Sequence, residues 1–442
     1  MSYEDYLKLY NEKKGSYMRC LESISSGDVI LCSNNYNECS VLFEHLHEVA
    51  PGLENVYIYK SRVGMYPFMT TPGMGSHVMT LNYFYGPVYL KAHPLGNCSF
   101  IPCDLPGYYT STSAHRRPNV FMAAVSPMDE NGDMFVGMNQ TNESDAIADA
   151  VREKWKIILE VNPNLGAMNG AAKINIRDVT CLCEVDTPEM TTLPIVCTPT
   201  EEQVGRNVAA LVEDGSTIQM GIGGLPNAVA RQLMDKKDLG LHTEQFTASM
   251  ADLIKAGVIT GRKKTLLPGK HVGVFADGTL ELYRLLREDR NCVMMPGKYV
   301  CDPFVIARNE KMVSINTCIE IDLTGQVCSE SIGPMQYSGS GGQFCFAYGA
   351  FRSKGGKGII ALTSRTRKGT PKIKATLTPG AAVTTLRNYV DWVVTEYGAV
   401  NLRGCSVMER ASLLISIAHP DDRASLWEQA EKLYPAIKEI DV

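Results

Sequence analysis

Asp214-Gly215-Ser216-Thr217-Ile218-Gln219-Met220 runs directly into Gly221-Ile222-Gly223-Gly224 and then into the helix-like pattern Leu225–Lys236. A short apolar strand, a glycine-rich turn and an apolar helix make a β-turn-α unit. The same order occurs upstream, where Ser26-Gly27-Asp28-Val29-Ile30-Leu31 leads through an Asn-rich turn into NNYNECSVLFEHLHEV at 34–49. Further short apolar runs at 56–60, 120–126, 156–162, 271–276 and 358–364 read as strands. Repeated units of this kind predict an α/β fold with mainly parallel sheets, the two copies each opening one half of the molecule. A chain of 442 residues exceeds what one core usually supports, so two domains are expected. The stretch DTPEMTTLPIVCTPTEEQ carries Pro188, Pro194 and Pro199, and the division is placed there, giving domains 1–195 and 196–442. Thr198-Pro199-Thr200-Glu201-Glu202 reads as a helix start, with proline and acids in the first turn. Near the C-terminus, MERASLLISIAHPDDRASLWEQAEKLY reads as two short helices broken at His419-Pro420.

Composition narrows the function. The chain is 45% hydrophobic and 21% charged, as an ordinary globular protein is, and its formal net charge is -5. That balance argues against a nucleic-acid partner, which would ask for a basic face. No apolar run approaches the 18 or so residues of a membrane span. The first residues, MSYEDYLKLYNEKKGSYMRC, have no apolar h-region and mix acids with bases, so the reading predicts a soluble, cytoplasmic protein. The fourteen cysteines are expected to be free thiols, Cys181 and Cys183 sharing one face of a strand. The eight histidines form no H-x-x-x-H or H-E-x-x-H grouping, so no metal site is expected.

Three features in the second half carry chemistry. The turn Gly221-Ile222-Gly223-Gly224 opens a helix, where close backbone approach and a helix N-terminus favour an anion. It is not the dinucleotide fingerprint, because Pro226 stands where the last glycine of G-x-G-x-x-G would fall. Leu241-His242-Thr243-Glu244-Gln245-Phe246 places an acid at the end of a short strand, where ligands of α/β sheets bind; the bland reading is a solvated loop acid. Tyr337-Ser338-Gly339-Ser340-Gly341-Gly342-Gln343-Phe344 can present successive backbone N–H groups to an oxyanion. Upstream, Ser314–Val327 reads as a strand pair closed by Thr324-Gly325, in which Asn316 either offers its amide to the same oxyanion or caps a turn.

In their order along the chain, QMGIGGLPNAV, LHTE, ADLIKAGVITG, SINTCIEIDLTGQVCSESIGPMQYSGSGGQ, LTPGAAVTT and VVTEYGAVNLRG resemble the acetyl-CoA hydrolase/transferase family, and within it the 4-hydroxybutyrate and butyryl-CoA:acetate CoA-transferases. The likeness runs nearly continuously from about 200 to 435 and is looser before that. It implies tandem CoA-transferase-type α/β domains with the active site between them, acting on acyl-CoA and small carboxylic acids. Glu244 matches the nucleophilic glutamate of that family. Asn316 with Gly341 or Gly342 matches the oxyanion donors, and Gly221, Ile222, Gly223, Gly224 and Gln343 match the lining of the acyl and CoA pocket. No permanently bound cofactor is implied, coenzyme A esters being substrates, and a homodimer is expected.

The chain also departs from the family pattern. Thr247-Ala248-Ser249 replaces the usual S-D-G after the glutamate, Leu165–Ala172 lacks the usual M-P-R-T, and Gly137–Asn142 is rich in amides. The last two changes suggest a pocket tuned to a different acid. An acyl-CoA hydrolase using the same glutamate is the nearest alternative, a non-catalytic CoA-binding protein a further one, and a dehydrogenase built on the glycine turn the weakest. For the CoA phosphates, Arg262–Lys264, Lys354 with Lys357, and Arg365–Lys368 are candidates with nothing to choose among them.

Overall fold

The two strand-opening turns are built alike: Gly27 and Gly215 both adopt left-handed backbone, with φ of 82° and 75°, which a residue bearing a Cβ adopts only at a cost. Each delivers the chain into a fully buried strand, Val29–Cys32 in one case and Thr217–Met220 in the other. In this computed structural model, which describes residues 1–60, 64–193 and 196–438, each of these strands lies inside a different parallel sheet.

The chain divides into two compact units, Met1–Thr192 with Val274–Tyr299, and Leu193–Gly273 with Val300–Val442. The cut expected between 195 and 196 falls on residues 194 and 195, which lie outside the described residues. A single cut also misses an excursion. Val274–Tyr299 packs with the first unit, where Gln140 N–H donates to Val274 O at 2.8 Å, Ala276 N–H to Met138 O at 3.0 Å and Thr192 N–H to Gly278 O at 2.8 Å.

The first unit holds a seven-stranded sheet in the order Cys98–Phe100, Val78–Asn82, Val56–Lys60, Val29–Cys32, Val120–Val125, Lys156–Val161, Cys181–Glu184. Every neighbouring pair is parallel. Val120–Val125 is buried at every position, the continuous apolar run that a sheet covered on both faces requires.

The second unit holds six strands in the order Gly240–Leu241, Thr217–Met220, Met312–Thr317, Lys357–Ala361, Trp392–Thr395, Gly398–Asn401. The first five run parallel and the last is antiparallel. The helix Pro199–Leu211 leads into it, with Thr198 and Glu201 forming a capping box and proline in the first turn. The strand pair expected over 314–327 is two separate things. Met312–Thr317 is a central strand of the main sheet, while the hairpin closed by Thr324-Gly325 joins Glu320–Asp322 to Val327–Cys328. The helices Val407–Ser416 and Pro420–Leu433 flank His419 as expected. Among the described residues no helix is long and apolar enough to cross a membrane.

Candidate active site

Three adjacent parallel strands of the second unit end side by side, and each carboxyl end carries one of the singled-out features. Gly240–Leu241 continues into His242, Thr243 and Glu244; Thr217–Met220 continues into Gly221; and Met312–Thr317 carries Asn316 one residue from its end. The carboxyl edge of a parallel sheet is where the loops diverge and a ligand finds room.

The register explains the partners. Gln219 lies opposite Ser314, so the two-residue period of a strand puts Gln219, Ser314 and Asn316 on one face. There the two amides form a reciprocal pair. Gln219 Nε2 donates to Asn316 Oδ1 at 3.1 Å, and Asn316 Nδ2 donates to Gln219 Oε1 at 3.1 Å. A buried amide left without partners would be costly, and this pairing fixes the orientation of Asn316. The second Nδ2 hydrogen of Asn316 has only the long 3.5 Å contact to Ser314 Oγ, beyond a good hydrogen bond. Gly221 lies beside this group; a Cβ there would sit 3.5 Å from Asn316 Oδ1.

Glu244 is half-buried, not a solvated loop acid. Its Oε2 accepts the backbone N–H of Gly342 at 2.7 Å. Gly342 precedes the ten-residue helix Gln343–Arg352 and offers no capping side chain, so the helix start turns an unused N–H onto the carboxylate. A Cβ on Gly342 would collide with Glu244 Oε2, so glycine is needed for this approach. Gly341 holds φ of 51°, turning the loop into the helix. Gln343 is buried, and its side-chain amide donates to Thr317 O at 2.9 Å, tying the loop to the end of the strand that carries Asn316.

The glycine turn is open. Gly223 adopts φ of 111° at the start of the helix Gly224–Gln232 with nothing in contact where a Cβ would stand, and Ile222 is 41% exposed at its tip. Gly224 packs against the Glu201 carboxylate, which a Cβ would meet at 2.6 Å.

The chain is similar to known proteins over most of its length. Residues 278–430 match the acetyl-CoA hydrolase/transferase C-terminal domain. The chain is 40% identical to a 4-hydroxybutyrate coenzyme A transferase of Clostridium kluyveri, over 87% of this chain and 88% of that protein. It is 38% identical to a succinyl-CoA:cyclohexane-1-carboxylate CoA transferase of Geobacter metallireducens, over 97% of each. The crystal structure of RipA from Yersinia pestis superposes with a TM-score of 0.90 at 32% identity, covering 97% of this chain and 99% of that one. The chain belongs to the acetyl-CoA hydrolase/transferase family. It is an enzyme of the CoA-transferase type.

Of the residues matched to the family's site, Glu244 is joined to Gly342 and Gly221 lies beside Asn316, on neighbouring strand ends, while Ile222 and Gly223 face open space. Gln343 ties the loop of Gly341 and Gly342 to Thr317, next to Asn316. In the basic clusters weighed for CoA phosphates, Arg262 pairs with Asp238, Lys354 with Glu310, Lys357 with Glu213, and Arg365 with Asp421 and Asp422. Lys264 is buried.

Sequence reasoning gave Gln219 and His242 no role of their own, and weighed Lys264 only as a phosphate ligand, which its burial contradicts. Strand alternation alone puts Gln219 on the face of Asn316 once the pairing is known. His242 is fully buried; its Nε2 donates to Val300 O at 2.8 Å, its ring meets Phe346 edge-on at 6.2 Å, and burial pushes its pKa down to about 4, so the imidazole is neutral. In the first unit the amide-rich stretch turns inward. Asn139 Nδ2 donates to Asn34 O and to Glu143 Oε1, both at 3.0 Å, and Ser33 Oγ donates to the same carboxylate oxygen at 2.8 Å.

Proposed function

We propose that this enzyme transfers CoA between short-chain carboxylic acids of the 4-hydroxybutyrate, butyrate or acetate type by a ping-pong cycle in which Glu244 is the covalent nucleophile. The observation that carries this reading is the Gly342 N–H held 2.7 Å from Glu244 Oε2 at the edge of the parallel sheet, with Asn316 on the neighbouring strand end. As the carboxylate attacks the thioester carbonyl, Oε2 gives up the Gly342 N–H, and the tetrahedral oxyanion is received by that N–H and the second Nδ2 hydrogen of Asn316. Collapse breaks the C–S bond, releasing CoA thiolate and leaving a mixed anhydride. The thiolate then attacks the Glu244 acyl carbon, forming a glutamyl-CoA thioester and freeing the first acid. A second carboxylate reverses these steps, leaves as its CoA ester and restores Glu244. Because each step exchanges one activated acyl bond for another, the cycle needs no ATP. The Gly221–Gly224 turn with the exposed Ile222 is assigned to contact with the acyl-CoA, and Gln343 to holding the oxyanion loop.

A carboxylate is a weak nucleophile, so binding energy from the remote CoA nucleotide has to be used at the reacting carbon. The test is chemical trapping. Enzyme incubated with acyl-CoA and no acceptor acid, then treated with borohydride or hydroxylamine, should be modified at Glu244 by peptide mass spectrometry. Wild-type protein that consumes acyl-CoA without modification at Glu244 sinks the mechanism. Release of free CoA at an undiminished rate when acceptor acids are withheld would make the enzyme a hydrolase. A panel of acids identifies the physiological pair. The fourteen free cysteines, eleven of them buried, support a reducing cytoplasmic setting. A homodimer, the commonest closed assembly, is the proposed state and is read by sedimentation.

A further inference from the structure

Lys264 closes a basic run, Arg262-Lys263-Lys264, that reads in sequence as a solvated patch, yet its side chain is 3% exposed. Its Nζ donates to Leu241 O at 2.9 Å and to Lys270 O at 2.8 Å. These two carbonyls stand at the roots of two neighbouring segments. Leu241 is the last sheet residue before His242-Thr243-Glu244, and Lys270 precedes His271–Gly273. The two segments then run together, with His242 bridged in parallel to Val272 and Thr243 N–H donating to Val272 O at 2.9 Å. The lysine stem lies over Gly240, where a Cβ would fall on Lys264 Cγ and approach Thr217 Oγ1 to 2.9 Å. Glycine at 240 therefore makes room for the lysine.

Building on Glu244 as the nucleophile, we infer that Lys264 is a positioning residue: it clamps Leu241 to Lys270 at the base of the segment pair and so sets the height at which Glu244 meets the Gly342 N–H. Lysine is rarely buried without a carboxylate partner, and here both hydrogen-bond acceptors are backbone carbonyls. Burial lowers its pKa to about 7, but the clamp does not depend on charge, since a neutral amine still has two N–H bonds for two carbonyls. A carboxylate that must attack along one line is sensitive to its anchor, and a displacement of 1 Å costs about 10²-fold in rate.

The experiment compares wild type with Lys264→Met, which keeps the stem and removes the donors. The first-turnover rate of glutamyl-CoA formation, read by borohydride trapping, should fall by about 10²-fold while KM for acyl-CoA stays within about twofold and the far-UV circular dichroism is unchanged. Gly240→Ala keeps the lysine but displaces its stem, and should reproduce the rate loss; it decides the question alone if Lys264→Met does not fold. The double variant should be no slower than the worse single one. Trapping at the wild-type rate in a folded single variant, or a raised KM with unchanged kcat, overturns the clamp. Absence of any Glu244 adduct in the wild type would instead refute the nucleophile assignment.

Discussion

Gly342 has no room for a side chain, because a Cβ there would land on Glu244 Oε2. Gly342→Ala keeps the backbone donor yet pushes the carboxylate off it, so turnover should fall by about 10²-fold with the fold intact, read as kcat beside a thermal melt. An undiminished kcat would mean that the carboxylate works from another position. His242 behaves differently, since its effect is on stability. An unfolded histidine titrates near 6.5, whereas the folded ring titrates at about 4. Between those values the unfolded chain binds the extra proton. The contribution is therefore complete above pH 6.5 and is lost as pH falls through about 4. His242→Gln retains a donor for Val300 O, and its urea midpoint should fall less steeply over that window than that of the wild type. Parallel slopes would show that the buried imidazole is not the sensor. Of these residues, the glycine turns leave marks in a sequence because only glycine meets their backbone demands. Glu244 gains its meaning from a partner 98 positions away, and the residue types alone did not separate it from a loop acid. Lys264 was illegible for a related reason: burial of a lysine is decided by what folds over it.

At the scale of elements, the site depends on how closely two helices approach. Gly205 lies mid-helix in Pro199–Leu211, and a Cβ there would stand 2.9 Å from the backbone carbonyl of Ala228 in Gly224–Gln232. The second helix begins at the Gly221–Gly224 turn, so the packing of one helix sets the position of the turn proposed to meet the acyl-CoA. Gly205→Val should overpack this contact and cost roughly 1–3 kcal/mol in denaturant unfolding, and because the turn must move, it should also raise KM for acyl-CoA. Loss of stability with KM unchanged would show that the turn is held by something else. The elements were the most legible part of the molecule. Buried parallel strands read as short continuous apolar runs, and Thr198-Pro199 with Glu201 spells out a helix start. The 314–327 stretch was harder. A turn signal at Thr324-Gly325 identifies a hairpin, but nothing local says that Met312–Thr317 pairs instead with strands about 95 residues before and 45 after it.

For the whole molecule, the informative feature is that the first unit is discontinuous. Composition marks the proline-rich crossing near residue 190, because linkers have a composition of their own. The return of Val274–Tyr299 to the first unit has no such mark, since 271–276 reads as one strand and the following helix Leu280–Glu288 as an ordinary βα continuation. Its place is shown only by tertiary contacts. Tyr283 Oη donates to Met190 O at 2.7 Å, Arg287 pairs with Glu189 and with the Tyr36 hydroxyl, and Met294 N–H donates to Asn169 O at 2.9 Å. Gly170, at φ of 84°, is pressed so tightly against Met294 O that a Cβ would not fit. A fragment ending at residue 192 therefore lacks part of its own unit, leaving Tyr283, Leu286 and Met294, all buried in the full chain, without their sites filled. Expressed alone, residues 1–192 should bind a hydrophobic dye and be cleaved rapidly by protease. Linking residues 274–299 to that fragment's C-terminus through a flexible spacer should restore protease resistance, because the return segment already hydrogen-bonds to Thr192 through Gly278 O. Equal resistance of the two fragments would show that the first unit is complete without the excursion.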